Sequence, residues 1–350
     1  MSVGIMVQSV GTARPQMAVA VAHGLGLPVD KTLRAIYRAP SLLVGEIEPA
    51  LASRLSALLQ DTGLETEVVD GDPQISPPDL HDVAVRVADP AALDAALSAV
   101  AAFCACDLPR ALALLTTPPG IVLGGVSPST IAALRDNLPG EGVSLTASPT
   151  AEARFMAFVQ ASSPALGAEI EKAIATASGA DEEGLGAVDF EAGQRLWARY
   201  GRTGALRLVN RDFMTFDLWL DGMLDGAVPD LSILGEVGDV PQEHWQAVVN
   251  AAPLILARDL DYDRLQQVLP MCAEAGLQVR GELTTFAHAA VQVSAGDIAA
   301  AAPVFDLFGL GRPSRLPCVT PAMALVKARL LIGALRRAGI SADLAEDAHG

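Results

Sequence analysis

Five short, largely apolar segments of the chain predict a strand at the start of a unit: VGIMVQSV (3–10), HDVAVRVA (81–88), ARFMAFV (153–159), FMTFDLWL (213–220) and HAAVQVS (288–294). A helical pattern follows each, as in 90–104 and 164–177, where Ala and Leu recur at helical spacing. Five later stretches share one grammar: DTGLETEVV (61–69), GEGVSLTAS (140–148), GRTGALRLV (201–209), EAGLQVRGEL (274–283) and RAGISADLAE (337–346). In each, a helix is expected to stop at glycine, which suits a left-handed backbone position, and a strand follows at once. Between these landmarks RAPSLLVGEI (38–47), TPPGIVLGGV (117–126), AAPLILARDL (251–260) and TPAMALVKA (320–328) place proline before a short apolar strand. Ser127 and Asp261 stand where the next helix needs an N-cap.

Taken together the landmarks repeat with a period of roughly 70 residues, the size of a small domain. They predict an α/β chain of five tandem α+β units at 1–72, 79–148, 151–211, 212–284 and 285–350. Each unit reads β-α-α-β-α-β, a three-stranded sheet with helices on one face; a ferredoxin-like strand order is the alternative. Units three and five depart from the pattern, at GADEEGLGAV (179–188) and GLGRPSRLPCV (309–319) respectively. Short links near 72–78, 148–150, 210–212 and 283–285 are too brief to let the units tumble freely.

Residues 3–69 carry a further signature: a first strand, GLGL at 24–27 between two helices, DKTL at 30–33, AP at 39–40 and DTGLETEVV at the end. In order and spacing this resembles the C-terminal domain of the bacterial ribosomal stalk protein, which has a ClpS-like fold; 81–148 follows the same order with weaker motifs, and the rest look like remote copies. The resemblance implies recruitment of proteins without catalysis, through a face around the turn: Leu25, Leu27, Lys31 and Arg34. Lys31 matches one of the lysines that the stalk domain presents, and Pro28 stands in the place of the other.

Composition narrows the function. The 350 residues are 51% hydrophobic and carry a formal net charge of −17. That charge opposes general affinity for nucleic acid or anionic membrane. No apolar run free of Pro and charge reaches the roughly 18–20 residues of a membrane span. With no basic, apolar leader before the first strand, and four scattered cysteines, the expectation is a cytoplasmic protein with free thiols.

Motifs for chemistry are thin. There is no phosphate-binding loop and no G-x-S-x-G elbow. Cys104 and Cys106, placed on one helix, point about 200° apart, poor geometry for a shared metal. Asp259, Asp261 and Asp263 alternate like the start of a calcium loop, without its Gly or terminal Glu, and helix capping by Asp261 explains them. No cofactor, metal or catalytic residue is therefore expected. The segment 216–240 is different. Its acids include Asp217, Asp221 and Asp225, interleaved with Trp219 and Met223, without one basic residue. This reads either as a strand running into a solvated loop or as an acidic, aromatic surface for a basic partner. The leading expectation is a scaffold or adaptor that binds proteins; a pocket-bearing enzyme or cofactor carrier and a self-associating structural protein are the alternatives.

Overall fold

In the computed structural model, residues 2–13, 15–71, 78–161, 163–178, 187–224, 226 and 228–345 are described. The five apolar segments become strands Val3–Ser9, His81–Val87, Phe155–Val159, Phe216–Met223 and Val291–Ala295. Each is the middle strand of a three-stranded sheet, with the second strand in sequence on one side and the third on the other. All pairings within these sheets are antiparallel. We number these sheets 1 to 5 in chain order; a two-stranded pair is the sixth sheet. The chain is thus a mixed α/β protein of small antiparallel sheets.

Three backbone features recur at fixed spacing in sheets 1, 2 and 4. A cis peptide precedes Pro40, Pro119 and Pro253; six residues later Glu46, Gly125 and Asp259 take positive φ; seventeen residues further Gly63, Gly142 and Gly276 do the same. The middle feature is a bulge, where the second strand spends an extra residue against the first. A carboxylate from the middle strand holds it: Asp82 Oδ1 accepts the Gly125 N–H at 3.0 Å, and Asp217 Oδ1 accepts the Asp259 N–H at 3.1 Å. Sheet 1 has Gly4 in that register and no carboxylate. Gly63 and Gly276 stand two residues past their helix ends, as expected, and so does Gly339, while Gly204 closes the turn Gly201–Thr203. Gly142 differs, because helix Pro128–Asn137 already ends at an extended Leu138 and the glycine lies in the loop before the third strand.

Two stretches depart from the sequence reading. In sheet 5 a strand was expected within 320–328, but the sheet's second strand is Cys318–Val319; Met323–Ala324 is a strand of the two-stranded pair, and helix Leu325–Arg337 takes the remainder of the stretch from 325 on. The proline preceding the strand is Pro317, again after a cis bond, and not Pro321. In sheet 3 the second strand is only Ala187–Val188; residues 179–186 lie outside the described residues. Among the links, 72–77 lies outside the described residues, whereas 283–285 is pinned, with the Thr215 N–H donating to Thr285 Oγ1 at 2.8 Å and the Thr284 N–H to the Thr215 carbonyl at 2.9 Å.

Compactness divides the chain into two bodies, 1–152 with 289–350, and 153–288. In the first, helix Pro128–Asn137 lies against strand Val3–Ser9. That strand is central in sheet 1 and also touches helices Val29–Tyr37 and Pro49–Asp61, while Leu42 and Glu67, in register with Met6, stay exposed. The Tyr37 carbonyl fixes the contact by accepting from the Ser127 N–H at 3.0 Å and Thr130 Oγ1 at 2.9 Å. Ser127 does hold the N-cap position, but its hydroxyl makes no capping bond and turns to Ser129 Oγ at 3.0 Å. Asp261 caps as expected, accepting the Arg264 N–H at 2.7 Å. In the second body the outer-facing Met156 and Val209 of sheet 3 join the core of sheet 4, and Phe286 stands edge-on to Phe158 at 5.3 Å.

The glycine stops make a direct test. A Cβ at Gly204 or Gly339 meets nothing within 4 Å, so alanine there carries only the left-handed backbone cost, about 1–2 kcal/mol. At Gly63 a Cβ would also stand 2.8 Å from the Ala13 backbone nitrogen. Urea titrations are expected to rank Gly63→Ala as more destabilising than Gly339→Ala.

Candidate docking surfaces

The turn that opens the first region is built as an interhelical corner. Helix Pro15–Leu25 ends at Gly26, whose φ is +64°, and the Leu27 N–H donates back to the Ala22 carbonyl at 2.8 Å. Helix Val29–Tyr37 then buries Thr32 and Ile36 and leaves Lys31 and Arg34 exposed one turn apart. Leu27 is half-buried; the side chain of Leu25 lies outside the described residues. The helix is anchored at its far end, where Tyr37 donates its hydroxyl to the Phe103 carbonyl at 2.9 Å. Burial pushes the Tyr37 phenol above its ordinary range, with Cys104 adding to the effect. The two cations therefore sit on a helix held firmly from behind.

Strand Phe216–Met223 was the second candidate. Phe216, Leu218 and Leu220 point into the core. On the other face Asp217 is 3% exposed and committed to the bulge, so it contributes no surface. Trp219 is half-buried, lies opposite Arg280 in register, and has that guanidinium 4.9 Å from its ring centre. Arg280 also donates to Asp221 at 3.2 Å and to Glu282 at 3.1 Å. These bonds, the one to Glu282 foremost, raise the Arg280 pKa further above its ordinary value. A register shift between Leu220 and Gly222 places Met223 opposite Leu277, whose side chain is buried in the core. Cross-strand partners share a face, so Met223 is exposed at the rim of the helical side, away from Trp219. Asp225 lies outside the described residues.

The surface is thus smaller and less acidic than the sequence suggests: Trp219 under Arg280, with Asp221 and Glu282 at its edges. Arg280 was missed because it stands 59 residues from Asp221 and only strand register joins them.

Helix Phe190–Tyr200 carries a surface that sequence reading also missed. An apolar groove of about 530 Å³ runs along one flank, lined by Phe155, Phe190, Gly193, Trp197 and Leu208. A furrow of about 680 Å³ runs along the other, toward helix Pro164–Ala177, with Glu169, Lys172, Arg195, Arg199 and Tyr200 in its walls. Glu169 Oε1 accepts there from Arg199 at 2.6 Å and from the Tyr200 hydroxyl at 3.0 Å. Burial and that bond raise the Tyr200 pKa. The available signal was Phe190 and Trp197 seven residues apart, two turns of one helix face.

The paired cysteines are not on one helix. Cys104 closes helix Leu93–Phe103, and Ala105 at φ +51° turns the chain before Cys106. The 200° separation therefore does not apply. Among the described residues no group of three or more His, Cys, Asp or Glu side chains is placed to hold a metal ion. Comparison of the chain with protein-family models, with curated proteins and with solved structures finds no match.

Burial, with Cys106 adding to it, pushes the Cys104 thiol from its ordinary 9.0 up to about 12. Below pH 9 folded and unfolded chains both keep this proton. Above it the unfolded chain releases the proton first, so stability falls as pH rises, by up to about 1.4 kcal/mol per pH unit. Urea midpoints measured at pH 8, 9 and 10 are expected to fall less steeply in Cys104→Ala than in the parent protein.

Proposed function

We propose that the chain is a non-catalytic scaffold or adaptor, a tandem of five ClpS-like units that recruits partner proteins in the cytoplasm. The observation that carries this reading is the recurrence of one strand order five times, with the cis-proline, bulge and left-handed glycine at identical spacing in three of the units. Repetition without a repeated reactive group suits recognition, because tandem weak sites gain affinity through effective concentration. Two surfaces are assigned to partners. Lys31 and Arg34 occupy the place that the stalk-domain resemblance gives to recruitment. Trp219, covered by Arg280 and edged by Asp221 and Glu282, offers an aromatic anchor with mixed charge around it, the arrangement in which an anchor supplies affinity and the rim supplies orientation.

One observation favours the alternative of a ligand-binding protein. The furrow beside Tyr200 gathers Glu169, Lys172 and Arg199 in a cleft of about 680 Å³, within the usual size of small-molecule sites. A chromophore or small molecule that co-purifies with the protein, and is released by Tyr200→Phe with Arg199→Ala, is the result expected from that reading.

The adaptor reading is tested by affinity capture from native cytoplasm, followed by binding measurements on the captured protein. Trp219→Ser with Arg280→Ala is expected to weaken a partner of the sheet face about tenfold or more, the loss typical of an anchor residue. Lys31→Glu with Arg34→Glu is expected to slow association of a partner of the helix face, most at low salt. Failure of both double variants to alter binding of any stoichiometric partner would overturn the assignment.

A further inference from the structure

The furrow between helices Pro164–Ala177 and Phe190–Tyr200 takes one stripe of residues from each helix, spaced three and four apart. Its floor is apolar. Ala192 and Leu196 are buried there, and Ala173 and Ala177 are half-buried. Three of these four are alanine, and their short side chains leave the space between the helices open. The charged residues stand on the rim: Lys172 on one wall, Arg195 and Arg199 on the other, all exposed.

The bonds of Glu169 set the direction of the two stripes. Glu169 begins the first stripe, and it accepts from Arg199 and Tyr200, which end the second. The stripes therefore run in opposite directions. Lys172, one turn on from Glu169, comes level with Arg195, one turn back from Arg199. This gives the furrow a closed end, a cationic middle and a neutral far end. At the closed end the Glu169 carboxylate is taken up by a guanidinium and a phenol. In the middle two cations stand on opposite walls. Arg195 has Glu191 beside it at 3.6 Å, but those side chains are 69% and 84% exposed, and a surface pair of this kind is worth little and yields to a better partner. At the far end, among the described residues, the lining is Thr176, Ala177 and Ala192, without a charge.

We propose that the furrow binds an organic anion with a single oxyanion head and an apolar body, the head between Lys172 and Arg195 and the body over Ala173, Ala177, Ala192 and Leu196. A carboxylate or phosphate head suits two cations on opposite walls, because the guanidinium offers paired N–H donors and the ammonium a point charge. The apolar body gains by leaving water for the alanine floor, as ligands of mostly apolar sites do. A second anionic group is disfavoured, because the Glu169 carboxylate stands at one end and nothing cationic lines the other among the described residues. The chain as a whole, at −17, repels anions. Here the lining holds three cations, Lys172, Arg195 and Arg199, against one acid, Glu169, so the local sign is reversed. The inference rests on the reading of the furrow as a small-molecule site and gives that site its class of ligand. It is independent of the partner surfaces assigned above, and its variants leave Lys31, Arg34, Trp219 and Arg280 untouched.

Isothermal titration calorimetry on the full chain with decanoate, decyl phosphate, decanol and inorganic phosphate tests it. The tighter of the two decyl anions is expected to bind about tenfold or more tightly than decanol, and its identity tells a carboxylate ligand from a phosphate one. Inorganic phosphate, which has the head without the body, is expected to bind more weakly than decyl phosphate. Lys172→Gln with Arg195→Gln, both at exposed positions, is expected to weaken the anion about tenfold or more and to leave decanol unchanged. Ala173→Leu, which changes no charge and fills the floor, is expected to weaken anion and decanol alike. Decanol as tight as the anions, inorganic phosphate as tight as decyl phosphate, or a glutamine pair that leaves anion binding intact would each overturn the proposed ligand class and leave the furrow standing as a site. Absence of binding by all four compounds, or binding that Ala173→Leu does not weaken, would overturn the furrow as a site and the ligand class with it.

Discussion

A three-stranded sheet has two faces, and helices that return to it in a β-α-α-β-α-β order cover only one of them. The other must be buried by something else or made tolerable in water. Much of the architecture follows from this. Helix Pro128–Asn137, which belongs to sheet 2, is hydrogen-bonded to Tyr37 and touches the middle strand of sheet 1, whose Leu42 and Glu67 nonetheless stay exposed. Sheet 3 has its outer face joined to the core of sheet 4 through Met156, Val209 and Phe158. Sheet 4 instead carries Trp219 on that face and covers the ring with Arg280, a side chain whose aliphatic stem shields the indole while its head stays in water. The same unsatisfied face therefore appears here as internal packing and there as a surface. That is why small sheets of this kind are natural units from which to build contacts between proteins.

The register of each sheet decides which side chains reach the outer face, and the bulges set the register. An extra residue at Glu46, Gly125 or Asp259 lets the second strand leave the sheet at the angle its following helix needs. Left-handed backbone is costly for Glu46 and Asp259. In sheets 2 and 4 a middle-strand aspartate accepts the bulge N–H. Asp217 is thus withdrawn from the surface by its bond to the second strand, while register with the third strand sets Trp219 opposite Arg280.

These relations explain what could be read from the sequence. The five middle strands were legible because each runs through the centre of its sheet, which leaves a short, largely apolar run in the residues themselves. Four of the glycine stops were legible because a left-handed turn at a helix end favours the one residue without a Cβ; at Gly142 the helix ends earlier, ahead of Pro139, and the glycine serves the loop. The surface around Trp219 was only half legible. Trp219 and Asp221 follow from alternation along one strand, but Arg280 comes from a strand beyond three helices and the second strand, and nothing local connects it to them. Met223 was misplaced because a bulge reverses the alternation and leaves no mark in composition. Pro317 and Pro321 are equally good prolines in sequence, and only the distance to Gly339 selects the first.

Net charge was the least informative quantity for the same reason. A total of −17 predicts repulsion between copies and from any acidic surface. Yet at contact distances only charges within about a Debye length count, roughly 8 Å at physiological salt. Local signs differ from the mean: residues 195–211 hold five arginines and no acid, while residues 46–70 hold six acids and one base. The mean repulsion then works as a filter. It keeps copies and unrelated acidic proteins apart at random orientations, and leaves attraction only where a basic patch meets an acidic one with apolar surface between them. An acidic chain with an arginine-rich stretch thereby confines attraction to particular orientations, through the same charge that opposes association on average.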